Sequence, residues 1–171
     1  MEPLRTIDLE AQVAIRRCHE DDLPALEWFG LFSDHRALIR EAFERQQRGE
    51  VQMLVADLQG FPIGQIWIDF TRKAEESVGI LWAFRTLDPF QGLGVGRTLL
   101  RTAEAELEKA GLKYAEIAAR FDNLPARQLY ERRGYELVGE EAETFSYYRP
   151  DGATVTETSE HWLLRKPVTV H

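Results

Sequence analysis

The chain has 171 residues, a length typical of one domain, and its hydrophobic content of 44% is enough to form a core. The formal net charge of −8 argues against a nucleic-acid partner and is compatible with a cationic substrate. No apolar run approaches the ~20 residues of a membrane span, and the first residues lack the apolar stretch of a signal peptide. We therefore expect no membrane partner and a cytoplasmic location.

The cysteine and histidine residues predict neither a disulfide nor a metal site. Cys18 is the one cysteine of the sequence, so an intrachain disulfide is excluded. No metal-ligand spacing surrounds Cys18 and His19, and His35, His161 and His171 are isolated along the chain. We predict that Cys18 is an inert residue at the end of a first strand.

The N-terminal half predicts a strand, two helices and a hairpin. Residues 13–17 form the strand, Asp21 or Asp22 caps a helix that ends near residue 30, and a second helix spans 34–49. The hairpin follows over 51–70, where the apolar pattern changes period. The helical residues that we expect to face the core are Leu23, Leu26, Phe29, Leu38, Ile39, Ala42 and Phe43.

The C-terminal half predicts a strand-helix-strand unit and then a helix with two closing strands. The nearly all-apolar strand over 77–87 is expected at the centre of a sheet, followed by a helix over 94–110 and a strand over 114–121. The last elements are a helix over 124–133 capped by Asn123, strands over 135–141 and 161–168, and a turn at 149–152. The predicted order is β-α-α-β-β-β-α-β-α-β-β.

Three glycines, Gly92, Gly94 and Gly96, stand where the apolar strand ends and a helix begins. Glycine lets the backbone approach a ligand closely, and a helix start offers unpaired amides and partial positive charge. Together they favour an anion site, most often for phosphate, over a plain turn. A Walker A loop is excluded because Gln91 occupies its first glycine position and Arg97 its lysine position. The dinucleotide fingerprint fails because Arg97 replaces its last glycine.

Two motifs resemble those of the GNAT superfamily of N-acetyltransferases. Gln91, Gly94 and Gly96 match its coenzyme A loop, Q/R-x-x-G-x-G/A. Residues 123–135, NLPARQLYERRGY, fill every marked position of its N-x-x-A-x-x-L-Y-x-x-x-G-[FY] segment. The resemblance implies an α/β (α+β) fold in one domain over 1–171, with a core over about 13–166. A mixed central sheet of about seven strands would be flanked by about four helices.

The resemblance also implies how the cofactor would bind. The backbone amides of Gly92, Leu93, Gly94, Val95, Gly96 and Arg97, which follow Gln91, would wrap the pyrophosphate of acetyl-CoA. The strand end at Phe84, Arg85 and Thr86 would pair through its backbone with the pantetheine arm, and one amide there would polarise the thioester carbonyl. Asn123 would help to hold the CoA arm while it caps its helix.

The implied reaction is attack of a free amine on the thioester, with loss of the CoA thiolate. Tyr130 matches the family's general acid, although it could instead be a core aromatic residue. Glu76, Glu116 or an ordered water chain could be the base, because an amine with a pKa of ~10.4 must first lose a proton. No metal is expected.

The acceptor amine is the least determined part of the prediction. Residues 28–35, 71–77 and 143–152 are expected to form the acceptor pocket, with Phe145, Tyr147 and Tyr148 among them. A small-molecule amine is the first expectation, a protein N-terminus or lysine is the second, and a CoA-binding sensor without turnover is the third. The apolar strands over 135–141 and 161–168 suggest a homodimer.

Overall fold

The computed structural model describes residues 1–168, so the last three positions of the predicted domain, including His171, lie outside the described residues. The strands are β1 (Val13–Arg17), β2 (Val51–Leu58), β3 (Phe61–Lys73), β4 (Val78–Thr86), β5 (Tyr114–Arg120), β6 (Glu136–Tyr148) and β7 (Thr154–Pro167). They form one mixed seven-stranded sheet in the order β1-β2-β3-β4-β5-β7-β6. The predicted fold class is confirmed.

The α-helices of the described chain are α1 (Arg36–Gln47), α2 (Val95–Lys109) and α3 (Leu124–Arg132). Single turns of 3₁₀ helix stand at Glu20–Asp22, Ala25–Glu27, Ser33–His35, Ala74–Glu76 and Asp88–Phe90. Neighbouring strands are antiparallel except β4 and β5, which run parallel on either side of α2 in the sequence. This is the predicted strand-helix-strand unit.

The two faces of the sheet carry separate hydrophobic cores. On one face, α2 and α3 pack through residues such as Leu99, Leu107 and Tyr130. On the other face, α1 packs through Ile39 and Phe43. The leucines of α2 at positions 99, 100 and 107 are buried in the first core, and the helix fixes the position of the loop that precedes it.

The first predicted helix is wrong as a continuous helix, because the segment forms two separate 3₁₀ turns. Asp22 does not cap it, since its carboxylate accepts hydrogen bonds from the His19 amide at 2.7 Å and from Arg16 at 2.7 and 2.9 Å. Trp28 and Phe29 then adopt left-handed backbone angles, φ 42° and 58°. The Phe29 side chain is 87% exposed instead of buried.

The closing hairpin is longer than the sequence pattern indicates. β6 and β7 pair along their length from Glu136–Arg165 to Tyr148–Thr154, and the turn at 149–152 connects them as predicted. Polar residues alternate along both strands, which hid these extensions in the sequence.

Cys18 follows β1 and is 3% exposed, and burial raises the pKa of its thiol to about 12. The prediction of an inert cysteine agrees with this environment.

Candidate active site

A cleft opens in the sheet where β4 and β5 separate. Their parallel pairing covers only Val78–Leu81 and Tyr114–Ile117, after which β4 continues beside β3 and β5 beside β7. A cavity of about 570 Å³ lies at this point. Residues 82–86 of β4 therefore face the cleft with no described strand hydrogen-bonded to them on that side.

A bulge in β4 shifts the alternation of its side chains by one residue at the cleft. The strand has one more residue than β3 across the irregular stretch, and Ala83 adopts a φ of 50°. Beyond the bulge, the Phe84 ring stacks on Tyr130 with the ring centroids 6.3 Å apart. The Arg85 guanidinium instead lies 4.0 Å from the centroid of Phe32, on the face that carries α1. The two residues thus contribute to different walls of the site.

The loop between β4 and α2 presents free backbone amides to open space. Gly92 and Gly94 have φ of 77° and 91°, and α2 begins directly after Gly94. Nothing within residues 1–168 accepts a hydrogen bond from the amides of residues 92–97, and the first bond at this helix end runs from Thr98 N to Gly94 O. A Cβ atom at Gly92 or Gly94 would meet nothing within 4 Å. Free donors at a positive helix end fit a diphosphate.

Gly96 lies where the loop meets the cleft. A Cβ atom there would lie 3.5 Å from Phe84 Cζ and 3.6 Å from Thr86 Oγ1, which are ordinary contact distances. The free protein would therefore accept a side chain at this position. The absence of a side chain leaves room beside the first turn of α2.

Of the other loop residues, one stabilises the turn through side-chain hydrogen bonds, one is exposed and one is buried. The Gln91 amide nitrogen donates to the Thr86 carbonyl oxygen and to Asp88 Oδ1, both at 3.1 Å, and so holds the turn. Leu93 is exposed, whereas the Val95 side chain is buried in the core. Leu93 and Val95 can therefore contribute to a ligand site mainly through their backbone.

Four arginines form a groove beside this loop, which we call the arginine groove. Arg97, Arg101, Arg132 and Arg133 line a cavity of about 220 Å³ between α2 and the end of α3. None of the four forms an ion pair with another described residue, whereas Lys166 at the same cavity binds Glu104 at 3.0 Å. The sequence analysis named only Arg97, because the groove depends on packing between helices distant in sequence.

Tyr130 and Asn123 both line the cleft. Tyr130 is 7% exposed, and burial raises the pKa of its hydroxyl to about 12. The Asn123 carboxamide oxygen accepts a hydrogen bond from the Ala126 amide at 3.2 Å. Asn123 is thus the predicted N-cap of α3, and its amide nitrogen stays available on the cleft side.

The two candidate glutamate bases differ in position. Glu116 lines the cavity and is 3% exposed, with its carboxylate oxygens bound by Lys73 Nζ at 2.7 Å and Arg165 Nε at 2.8 Å. Glu76 precedes β4, has a side chain 56% exposed, and contacts Arg165 at 3.4 Å. Glu76 ends the 3₁₀ turn before β4 and is not among the residues that line the cavity. The structure does not bring Glu76 to the cleft.

A second cavity of about 300 Å³ adjoins the cleft on the α1 face, and we call it the aromatic pocket. Phe32, His35, Trp82, Arg85 and Phe145 are among its lining residues, and the last three also line the larger cavity. The predicted pocket segments 28–35 and 143–152 contribute Phe32, His35 and Phe145. The sequence analysis missed Trp82, which looked like one more apolar residue of a central strand.

Tyr147 and Tyr148 do not line the aromatic pocket. The Tyr147 ring is buried and packs edge-on against His35 with the centroids 5.2 Å apart. The Tyr148 side chain is 64% exposed. Only Phe145 of the three predicted aromatic residues therefore reaches the cavity.

Two basic side chains of the aromatic pocket, Arg85 and His35, have pKa values lowered by partial burial. Burial lowers the pKa of Arg85 to about 10. Burial, and next the positive charge of Arg85, lower the pKa of His35 below its usual value. The imidazole is therefore neutral at neutral pH, and Arg85 is still a cation.

No group of three or more His, Cys, Asp or Glu side chains placed to hold a metal ion occurs within the described residues. No helix in that same part of the chain is long and apolar enough to cross a membrane.

Solved structures with the same fold cover nearly the whole chain. The N-acetyltransferase of Staphylococcus aureus Mu50 has a TM-score of 0.70 at 16% identity, covering 92% of this chain and 99% of its own. The ribosomal-protein-S18-alanine N-acetyltransferase of Escherichia coli has a TM-score of 0.67 at 18% identity, covering 94% and 96%. The yncA protein of Salmonella typhimurium, solved with its cofactor acetyl-CoA, has a TM-score of 0.69 at 15% identity, covering 94% and 96%. These likenesses show the fold.

Sequence comparison adds the family. No curated protein matches the chain significantly. The model of the Acetyltransferase (GNAT) family matches residues 15–135, which include β4, β5, the glycine loop and the segment with Tyr130. The chain belongs to the GNAT family of acetyltransferases.

Proposed function

We propose that this acetyltransferase transfers the acetyl group of acetyl-CoA to a primary amine of a small molecule. We also propose that it works as a single domain in the cytoplasm. The observation that carries the proposal is the cleft between β4 and β5, bordered by the free amides of residues 92–97. A ligand with a diphosphate and an extended amide-bearing arm is complementary to these two features.

The loop and the arginine groove would hold the charged end of acetyl-CoA. The amides of residues 92–97 donate to the pyrophosphate at the positive end of α2. The guanidinium groups of Arg97, Arg101, Arg132 and Arg133 are unpaired in the described chain and would bind phosphate oxygens. The unpaired edge of β4 at Phe84–Thr86, with Asn123 opposite, would accept the pantetheine arm as a strand.

Acetyl-CoA supplies an activated acyl group with a thiol leaving group. The chain would polarise the carbonyl through a backbone amide of the β4 bulge, an oxyanion-hole role that needs a donor fixed before the reaction. The amine would enter from the aromatic pocket, on the face opposite Phe84 and Tyr130. Attack forms the C–N bond, the C–S bond breaks, and the thiolate receives a proton.

Tyr130 is the proposed donor of that proton. Its pKa of about 12 keeps the hydroxyl protonated at neutral pH. A solvated thiol has a pKa of ~8.5, which would make the transfer unfavourable by ~5 kcal/mol. Burial raises the pKa of a thiol as well, so the difference shrinks inside the cleft. Tyr130 would therefore stabilise the sulfur first as a hydrogen-bond donor and then as an acid.

Glu116 is the only one of the two glutamate candidates at the cavity, and both of its carboxylate oxygens are already bound by the cationic groups of Lys73 and Arg165. We therefore favour ordered water as the group that takes the amine proton. Glu76 is too distant to act directly.

Release of CoA, measured with a thiol dye, tests the proposed function across a panel of small amines and a panel of peptides. We expect release that depends on a small amine. Release with peptides alone would identify a protein acetyltransferase. Acetyl-CoA binding in calorimetry with no release on either panel would identify a sensor domain.

A homodimer through the outer strand stays part of the proposal. β6 is the last strand of the sheet, and its Leu137 and Val138 are 46% and 52% exposed. β7 lies between β5 and β6, so its backbone edges are both occupied. Light scattering at micromolar concentration should give twice the 19.7 kDa of the chain, and a mass of one chain would exclude the dimer.

A further inference from the structure

Arg85 is a partly buried cation without an anionic partner. Its guanidinium forms a cation–π contact with Phe32, but no described residue accepts a hydrogen bond from it or forms an ion pair with it. Ion pairs satisfy the other arginines at the larger cavity, Arg45 with Asp69 and Arg72 with Glu141, and Arg120 with Asp122. Removing an unpaired charge from water costs free energy unless a ligand of opposite charge pairs with it.

Trp82 supplies a second unpartnered donor at the same cavities. Its indole Nε1 is buried and has no hydrogen-bond partner among the residues described. The neighbouring Trp67, whose ring lies 4.7 Å away, donates its own Nε1 to Gln65 Oε1 at 2.8 Å. The fold therefore satisfies one indole of the pair and leaves the other without an acceptor among the described residues.

These two donors call for an anionic acceptor group, and the planar guanidinium suits a carboxylate. Phe32 and Phe145 give the remaining wall an apolar character, and the volume of about 300 Å³ suits a small molecule. Glu143 lines both cavities and pairs with no described cation, so it can attract an ammonium group. The pocket therefore offers one positive and one negative side chain that do not bind each other.

The phosphates of CoA do not explain Arg85. The free amides of residues 92–97 and the arginine groove lie with α2, on the sheet face where Phe84 packs against Tyr130. Arg85 lies beyond the bulge on the α1 face, against Phe32. An anion bound by Arg85 therefore belongs to the second substrate.

We propose that the acceptor is a small amino carboxylate, whose carboxylate binds Arg85 and the Trp82 indole N–H while its amine faces the thioester. This inference rests on the proposed function and names its substrate class. Glu143 would attract the ammonium form into the pocket before it loses its proton. A protein N-terminus has no carboxylate beside its amine and does not fit this site.

The test compares amino carboxylates with their neutral derivatives. The probes are L-alanine, L-methionine and L-phenylalanine, each with its α-amide and its decarboxylated amine. Binding to the CoA-loaded protein is followed by the fluorescence of the pocket tryptophans, and turnover by CoA release. At least one acid should exceed its amide by about 100-fold in kcat/KM, because a site built around a polar group rejects analogues that lack it.

Arg85→Met is the decisive variant, because it keeps an unbranched apolar chain against Phe32 and removes the charge. The preferred acid should lose about 10- to 100-fold in kcat/KM, mainly through KM, and the amide should change little. Acetyl-CoA affinity in calorimetry should be unchanged. Arg72→Met is the matched control, since Arg72 already pairs with Glu141, and it should keep the preference for the acid.

The outcomes separate this inference from the proposed function. Equal use of acids and amides, or an acid preference that survives Arg85→Met, would overturn the carboxylate site and leave the acetyltransferase intact. A loss of acetyl-CoA affinity in Arg85→Met would assign Arg85 to the cofactor and also overturn the inference. Acid binding that depends on Arg85 without any turnover would support the carboxylate site and contradict the proposed function. Absence of both binding and turnover with all three acids would overturn the carboxylate site.

Discussion

At the scale of single residues, the hydroxyl of Tyr130 is the group whose removal should affect chemistry most. Tyr130→Phe keeps the ring stacked on Phe84 and removes only the proton donor. General acids contribute about 10²–10⁴-fold in rate, so kcat should fall by that factor, about 3–5 kcal/mol of barrier. Acetyl-CoA affinity should change little. Pre-steady-state rates should accompany kcat, so that a slow release step does not hide the effect.

Tyr135→Phe is the matched control for that substitution. Its hydroxyl donates to Glu104 at 3.1 Å, on the arginine-groove side of α2. Removal of this hydrogen bond should lower the melting temperature and leave kcat near normal. A Tyr130→Phe enzyme with normal kcat would mean that water delivers the proton. Loss of melting temperature and cofactor affinity in Tyr130→Phe would make Tyr130 a packing residue.

Glu116 should act mainly through its ion pairs. Glu116→Gln removes the charge between Lys73 and Arg165, so we expect a stability loss of about 2–3 kcal/mol in denaturant unfolding. If water is the base, the acidic limb of the kcat/KM profile against pH should keep its position. Glu76→Gln is the exposed control and should change neither property. A displaced acidic limb in Glu116→Gln alone would establish Glu116 as the base.

At the scale of elements, a residue at the start of α2 can be substituted without destabilising the helix. Gly96→Asp places a side chain where the free protein has ordinary contact room, and an acidic residue in the first turn favours the helix. The same carboxylate would repel the pyrophosphate. We expect acetyl-CoA affinity to fall by at least about 100-fold in calorimetry, with the melting temperature retained. The asparagine of Gly96→Asn has nearly the same shape as the aspartate but no charge, so this variant should lose much less acetyl-CoA affinity. Equal affinities in the two variants would contradict the phosphate cradle.

The turn after β1 should make stability depend on pH. The hydrogen bonds from Arg16 lower the pKa of Asp22, a carboxylate 6% exposed. Because the folded pKa lies below the unfolded value of ~3.9, this stabilisation is present above that value and is lost as pH falls through the folded pKa. Asp22→Asn should therefore cost about 2 kcal/mol at pH 7 and progressively less below pH ~4 in urea unfolding. A loss that is constant with pH would contradict this assignment.

At the scale of the whole molecule, the sequence correctly predicted the helices and strands whose pattern of apolar residues is local in the chain. The helix α2, the central strand β4 and the cap at Asn123 all depend on nearby residues, and the structure has them as expected, although only the first half of β4 is fully buried. The helix predicted from Asp21 or Asp22 is divided at Pro24, which lies between the two 3₁₀ turns and has no backbone amide to donate to a continuous helix. The apolar spacing of Leu23 and Leu26 does not reveal this interruption.

The cavity was harder to predict because long-range pairing assembles it. The free amides of the glycine loop follow from adjacent residues, and the sequence analysis found them. Trp82, Arg85 and Glu143 meet only because β6 returns to the sheet beyond β7 and a bulge turns Arg85 toward α1. Nothing in the alternation of either strand marks these positions. The sequence likewise does not reveal the ion pair of Glu116, because Arg165 reaches it only through the pairing of β7 with β5.

The central claim is that acetyl-CoA bound between β4 and β5 is the acyl donor for an amine. CoA release with saturating acetyl-CoA, in the presence and absence of the preferred amine, tests it directly in the wild type and in Gly96→Asp. We predict amine-dependent release by the wild type and its loss in Gly96→Asp at the same acetyl-CoA concentration, with activity retained in Gly96→Asn. Acetyl-CoA that binds the wild type with no amine-dependent release, or equal release by Gly96→Asp, would contradict the account.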